Sequence, residues 1–326
     1  MSGVIKWGIL GLGKIAHKFA SDLSLVEGCE LISIASSNLN RAEAFAEKFG
    51  VNRHYGIYDA LYKDNLIDVI YVASINSDHY KHVIRALEHG KSVLCEKPLA
   101  INQKEVVKMI RCAKKNNVFL MEGLWTRFTP SFEQVLKWID NNSIGKIRYI
   151  NATFSFNGLS KTLSSRLFNA EKGGGSLLDI GIYPLFIAYQ LMGIPDDIKA
   201  SAIIKETGVD EQIAVIMKYK QSQAILYSSF THDENMRASI CGELGEIYID
   251  SRWHESPSLK LVTKEKSSSK TFKFLGKGYS YEIKEVNDCL RNRMKESSKW
   301  SLKHSRELMT LMDKIRRQTE ITYPMD

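Results

Sequence analysis

Val4-Ile5-Lys6-Trp7-Gly8-Ile9-Leu10-Gly11-Leu12-Gly13-Lys14-Ile15-Ala16 is the stretch on which the fold turns. Val4 to Leu10 is a short, apolar, β-rich run and predicts a buried strand. Lys14 to Leu23 has helical spacing, so the two glycines fall on a strand-to-helix turn. Gly11 permits the tight turn, and Gly13 lets backbone approach a pyrophosphate. Ala16 stands where a third glycine often sits and is small enough for close helix–strand packing. An anion would rest on the helix N-terminus, where the N–H groups opening at Lys14 and Ile15 and the helix dipole favour negative charge. A merely structural turn is the competing reading of so short a motif, and the βαβ context weighs against it.

Outward from this turn, β-rich runs and helical patterns alternate. Strands are predicted at Leu31 to Ala35, Val69 to Ala73, Ser92 to Leu94 and Val118 to Met121. Helices are predicted at Arg41 to Phe49, His79 to His89 and Gln103 to Asn116. Apolar strands alternating with helices imply a doubly wound parallel sheet, an α/β Rossmann domain over residues 1–123. After about Gly123 the pattern changes. A helix at Ser131 to Ile139 precedes alternating segments at Arg148 to Phe156, Lys199 to Ile204, Gln212 to Tyr219, Gln223 to Phe230, Ala238 to Cys241 and Glu246 to Ile249. Short connections favour antiparallel pairing, so residues 124–326 predict an α+β domain with a large, mostly antiparallel open sheet and helices on one face. Lys264 to Lys270, with three serines in a row, predicts an exposed hairpin tip or loop. Helical patterns at Tyr281 to Lys295 and Ser301 to Gln318 close the chain and are expected to pack back on the first domain.

The bulk properties narrow the function classes. The chain has 326 residues, 44% hydrophobic and 25% charged, which fits two globular domains. The net charge of +8 accompanies no nucleic-acid-reading motif, so it reads as a solvated basic face or as attraction for an anionic small ligand. Cys29, Cys95, Cys112, Cys241 and Cys289 are odd in number and widely spaced, which argues against a disulfide framework or a zinc site and for a reducing compartment. The stretch before Gly11 lacks a signal-peptide pattern. The apolar run Leu177 to Ile194 is interrupted by Asp179, Gly181, Pro184 and Gln190, unlike a membrane span. A cytoplasmic protein is expected.

Three further motifs carry chemistry. At the end of the second strand stand Ser36, Ser37 and Asn38, followed by Arg41, where an NAD-preferring site usually places Asp or Glu. Hydroxyls and a guanidinium suit a 2′-phosphate, so NADP is favoured over NAD, unless Arg41 merely flanks the next helix. Cys95-Glu96-Lys97-Pro98-Leu99 follows a strand whose C-terminus faces the ligand crevice. Lys97 can donate to a substrate oxygen, Glu96 can pair with it or contact the nicotinamide ribose, and a plain surface turn is the alternative. In Gly173-Gly174-Gly175-Ser176-Leu177-Leu178-Asp179-Ile180-Gly181-Ile182-Tyr183-Pro184, Asp179 and Tyr183 share a helical face that Pro184 loosens. Both polar groups need a reason in so apolar a segment, substrate contact being one and helix capping with plain packing the other. His79 and His82 have no third ligand at metal spacing, so no metal is expected.

The order of G-x-G-x-x-A, E-K-P and G-G-G-x-L-x-D-x-G-x-Y resembles the Gfo/Idh/MocA oxidoreductase family over essentially the whole chain. Phe119 to Phe128 and Ser165-Arg166-Leu167-Phe168-Asn169 look like the branch containing dihydrodiol dehydrogenase, xylose dehydrogenase and glucose–fructose oxidoreductase, which carries Tyr rather than His at position 183. The resemblance implies that Lys97 is the catalytic lysine, Tyr183 a proton donor or acceptor and Asp179 a substrate-positioning residue. It also places the loop of Asn76 and His79 against the cofactor, with a structural histidine as the other reading of His79. Trp125, Arg127 and Arg166 become candidates for the substrate pocket, the two arginines equally for structural ion pairs. Alcohol oxidation must remove the hydroxyl proton as the hydride leaves. A phenol is a poor base at its free pKa of about 10, and a nearby ammonium would favour the phenolate. Whether Lys97 or Tyr183 takes the proton stays open. The expected activity is hydride transfer between NADP or NAD and a sugar, polyol or cyclic diol. The alternative is a catalytically silent nucleotide-binding regulator on the same fold. The open sheet leads to the expectation of a homodimer.

Overall fold

The computed structural model describes Gly3 to Asp326. The chain divides into two compact units, one of residues through Phe128 with Phe274–Arg306, the other of Thr129–Lys273 with Glu307–Asp326. In the first lie β1 (Ile5–Leu10), α1 (Lys14–Leu23), β2 (Cys29–Ala35), α2 (Leu39–Phe49), β3 (Arg53–Tyr55), α3 (Tyr58–Tyr62), β4 (Val69–Val72), α4 (His79–Glu88), β5 (Ser92–Glu96), α5 (Gln103–Lys115) and β6 (Leu120–Gly123). Its six strands are all parallel and run in the order β3-β2-β1-β4-β5-β6. The order reverses direction between β1 and β4, and ligands of open α/β sheets bind at such a point, beyond the strand C-termini. Gly11 follows β1, Ser36 follows β2, Asn76 lies just past β4 and Lys97 follows β5, so the candidate nucleotide residues gather at one end of this sheet.

The second unit contains α6 (Pro130–Asp140), β7 (Ile147–Ser155), α7 (Ile182–Met192), β8 (Asp197–Ile204), β9 (Asp210–Tyr219), β10 (Ser222–Ser229), β11 (Ala238–Gly242), β12 (Gly245–Ile249), β13 (Ser258–Thr263) and β14 (Ser267–Thr271). Its eight strands run β14-β13-β12-β11-β7-β10-β9-β8. All pairs are antiparallel except β7 with β10. The helical segment Ala170–Met192 is long and apolar enough to pass for a membrane span by composition, but 83% of its most apolar window is buried in the fold. Its apolar side chains are spent on the sheet. Pro184 lacks the N–H that Ile180 needs in an α-helix, and Leu177–Gly181 is wound as a π-turn.

Three departures from expectation have physical causes. The expected hairpin tip Lys264 to Lys270 contains most of β14, because an edge strand needs one partner only and β13 supplies it, with Lys260 opposite Ser269. β3 and β13 escaped notice, β3 because three residues carry no readable period. The structural division falls at Phe128 rather than Gly123; the first unit also takes in Phe274–Arg306, from the closing region expected to pack on it. Long-range contacts draw that segment in. Trp7 Nε1 donates to Asn287 Oδ1 at 3.0 Å, Trp300 Nε1 to Glu122 Oε2 at 3.1 Å, and Asp22 accepts the N–H groups of Lys277 and Tyr279 at 2.8 Å each. The last of these places a carboxylate at the start of α8 (Ser280–Arg291), where the helix dipole favours it. The division falls again within α9 (Leu302–Gln318).

Candidate active site

In the first unit the turn after β1 requires glycine at one position and leaves space at the other. Gly11 has φ +86°, and a Cβ there would lie 2.7 Å from the Ala73 carbonyl oxygen, inside any contact distance. Gly13 is exposed, and a Cβ there would meet nothing within 4 Å. Gly13 begins α1 with no side-chain cap and no acid in the first turn. The N–H groups at Lys14 and Ile15 are thus not claimed by a capping side chain, while Ala16 is buried at 0% exposure against the sheet. Open backbone space beside an uncapped helix N-terminus fits a dinucleotide pyrophosphate.

Past β2, Ser36 is buried and its Oγ accepts the Asn38 N–H at 3.2 Å. Asn38 caps α2 by accepting the Arg41 N–H at 3.0 Å. Ser37 is exposed, and the exposed Arg41 side chain has no ion-pair partner among the described residues. No carboxylate stands between Ser36 and Arg41. The cap therefore uses the backbone of Arg41 and leaves its guanidinium available.

Asn76 opens a 3-10 turn beyond β4, half-buried. His79 has a different part from the cofactor contact expected of it. Its ring is fully buried, with Nδ1 2.8 Å from the Pro98 carbonyl and Nε2 3.2 Å from the Ser74 carbonyl. It offers no surface to a ligand and ties the loop after β4 to the turn after β5. Burial lowers its pKa most, against the pull of the two carbonyls. His82 likewise bonds Tyr62 through Nδ1 at 2.7 Å, and burial pushes its pKa down to about 4.

Glu96 ends β5 at 7% exposure, its Oε1 accepting from the Tyr71 hydroxyl and its Oε2 from the Lys97 N–H at 3.2 Å. Lys97 is half-buried and precedes a cis Pro98. Under the turn lies Glu122, whose Oε1 accepts the Leu99 N–H at 2.9 Å. Burial pushes the Glu122 carboxyl up, and hydrogen bonds including those from Trp300 and Leu99 pull it back. Trp125 stacks on Tyr279 with centroids 5.0 Å apart. Gly278 passes so close to that indole that a Cβ there would lie 2.6 Å from it. Arg127 is 7% exposed and donates from Nε to the Lys299 carbonyl at 3.2 Å, a structural anchor for the returning segment.

In the second unit the glycine run explains the placement of Arg166. A Cβ on Gly174 would lie 2.7 Å from the Leu167 carbonyl oxygen and 2.8 Å from that of Arg166, and Gly175 donates to Leu167 at 2.8 Å. The loop of Arg166 can therefore lie directly on the run. Arg166 Nη1 reaches Asp179 Oδ1 at 3.0 Å, pairing a half-exposed guanidinium with a nearly buried carboxylate. Tyr183 follows on α7 at 5% exposure. Its ring stands 5.5 Å from Phe154 and 5.3 Å from His254, which themselves stack at 4.2 Å. Trp253 holds His254 there by donating from Nε1 to the Thr153 carbonyl at 2.8 Å.

Against known proteins, residues 5–124 match the NAD-binding Rossmann fold of the GFO/IDH/MocA oxidoreductase family, and residues 132–248 its C-terminal domain. The trans-1,2-dihydrobenzene-1,2-diol dehydrogenase of Xenopus tropicalis is 37% identical over 330 residues, covering 98% of this chain and 99% of that one. The enzyme of the same name from Mus musculus is 34% identical over 338 residues, covering 99% of each. The chain belongs to the GFO/IDH/MocA oxidoreductase family. Among solved structures, the 3-ketoreductase KijD10 of Actinomadura kijaniata, in complex with NADP and TDP-benzene, superposes with a TM-score of 0.86 at 24% identity, covering 97% of this chain and 98% of that one. The aldose–aldose oxidoreductase of Caulobacter crescentus gives 0.88 at 22% identity, covering 97% of each. These likenesses carry the fold. With the glycine turn, family membership makes the chain an NAD(P)-dependent oxidoreductase acting on hydroxyl groups.

Within that family frame, some residues at the site had no readable signal. Phe154 and His254 are neighbours of Tyr183 only through the sheet, and nothing local in Trp253-His254-Glu255 marks them. Glu122 and Glu282 sit in segments where a carboxylate reads as solvent-facing, yet both are buried.

Proposed function

We propose that the protein interconverts a secondary alcohol and its ketone on a sugar- or diol-like substrate, with NADP as the preferred cofactor. The bound nicotinamide supplies the acceptor or donor of the hydride at the carbinol carbon. Tyr183 takes the hydroxyl proton in oxidation and returns it in reduction. Lys97 steadies the negative oxygen, and Asp179, held by Arg166, accepts from a second substrate hydroxyl. A carboxylate so placed favours polyhydroxylated substrates over plain ketones, because a second substrate hydroxyl can donate to it. Phe154 and His254, stacked on each other, supply flat ring surface beside Tyr183 for a substrate ring. What carries this reading is the Asp179–Tyr183 segment, an acid and a phenol kept one helical turn apart inside an otherwise apolar core element. The names of the curated relatives support a diol substrate.

The preference for NADP rests on the free guanidinium of Arg41 and the absence of a carboxylate after β2. Titration with NADPH and NADH, followed by nicotinamide fluorescence, tests it. Arg41→Ala is expected to weaken NADPH by about 10- to 100-fold, the range of a charge-assisted hydrogen bond, and to leave NADH within about twofold. Equal losses for both nucleotides would remove the assignment. Turnover of a panel of aldoses, polyols and cyclic diols tests the reaction itself, and tight nucleotide binding without any turnover would favour a silent regulator.

Self-association through the uncovered face of the eight-stranded sheet is also proposed. Ile216 and Ile225 lie opposite each other on β9 and β10, at 45% and 42% exposure, and Ile203 and Tyr248 share their face. A twofold pairing of that face would cover all four. Light scattering at micromolar concentration is expected to give twice the 37.1 kDa chain mass, and a monomer mass would overturn the pairing. The five free cysteines support a reducing, cytoplasmic setting.

A further inference from the structure

Glu282, in the first turn of α8, is 0% exposed, and neither of its carboxyl oxygens has a hydrogen-bond partner. A buried carboxyl without a partner is costly, far more so if charged, so its retention calls for a physical account. Around it stand Glu96 on β5, Asp22 near the end of α1, Tyr71 on β4 and Tyr279 ahead of α8, with Gly123 presented by β6. A Cβ built on Gly123 would lie 3.5 Å from Glu282 Oε2 and 3.6 Å from the Glu96 Cα, so the two glutamates flank one glycine. The Asp22 carboxylate is already satisfied by the N–H groups of Lys277, Tyr279 and Ser280. Glu96 accepts at both oxygens, from Tyr71 and from the Lys97 N–H, as an anion does. Burial, and then the charges of Glu96 and Asp22, push the Glu282 carboxyl well above the usual range. Burial and the same glutamates keep Tyr71 a neutral donor.

We infer that Glu282 is a proton-bearing acid that leaves Glu96 the anion of the pair, and that Glu96 so charged holds the backbone of Lys97 in place. Glu282 is thus a positioning residue acting through Glu96. Its bearing on catalysis rests on the reading of the Glu96-Lys97-Pro98 turn as part of the reaction site, whereas its protonation does not. Two charged carboxylates close together in a buried setting repel, and a proton on Glu282 removes that repulsion.

The folded state then keeps a proton that the unfolded chain releases above about pH 4.3. Stability from this group is complete below that pH and lost as pH rises toward the folded pKa, by up to about tenfold in the folding equilibrium per pH unit. Glu282→Gln, neutral at every pH, is expected to melt progressively higher than the parent between pH 5 and 8. Its infrared difference spectrum is expected to lose a protonated-carboxyl band. A melting gap constant across that range, or loss of a carboxylate band instead, overturns the inference. Glu96→Gln gives an independent check, since the protonated band should survive it, and loss of that band there would put the proton on Glu96. None of these readouts uses turnover, so their failure is distinct from failure of the proposed reaction.

Discussion

Tyr183→Phe is expected to lower kcat/KM by roughly 10²- to 10⁴-fold, the usual worth of a positioned proton-transfer group. The substitution removes one oxygen from a ring that is 5% exposed and packed against Phe154 and His254, so the ring contacts remain and the fold is expected to persist. The loss should fall on kcat rather than on KM, because the proton moves only as the reaction proceeds. Lys97→Ala makes a parallel arm. It is expected to cost a similar factor while NADPH still binds, since the nucleotide turn after β1 is untouched. If Tyr183→Phe retained most of its activity and Lys97→Ala did not, the proton would belong to Lys97. Near-parental rates in both would sink the proposed chemistry.

Gly11→Ala should damage both folding and nucleotide binding, and Gly13→Ala binding alone. At Gly11 an added Cβ meets three backbone atoms at 2.7 to 2.9 Å, from Ala73 and Ser74, and φ is +86°. Backbone cannot swing aside as a side chain can, so the end of β1 and the loop after β4 must part. The left-handed conformation alone costs about 1–2 kcal/mol for a residue with a Cβ, a drop of several degrees in Tm. Displacing the loop by ~1 Å is expected to cost on the order of 10² in kcat/KM. At Gly13 the same methyl meets nothing within 4 Å, so Tm should hold while nucleotide affinity falls. Thermal melts and fluorescence titrations of the two variants separate the effects. Unchanged nucleotide binding in Gly13→Ala would show that no pyrophosphate lies against it.

The features legible in the sequence are those with local causes. The turn at Gly11 is a contest between one Cβ and its near neighbours, and β1 and α1 announce themselves by apolar period. The parallel sheet followed from alternation of elements. Lys264 to Lys270 predicts a hairpin tip or loop because serines have weak strand preference, and only the partner strand β13 makes its second part a strand. The pair of Asp179 and Tyr183 was visible in spacing, but Arg166 as the partner of Asp179 was one of two open readings until the glycine run brought the loop onto it.

By itself, the sequence determined the parallel sheet of the first part, the mostly antiparallel sheet of the second and the family, because each depends on short-range periodicity or on the order of local motifs. Tertiary structure alone decided that His79 is a clamp between two carbonyls and that Arg127 anchors the returning segment. It also set His254 beside Tyr183 and buried Glu282 beside Gly123, on whose other side Glu96 lies. The physical reason is common to all four. A side chain's burial and charge state depend on which distant segments pack around it, and a local pattern carries no record of them.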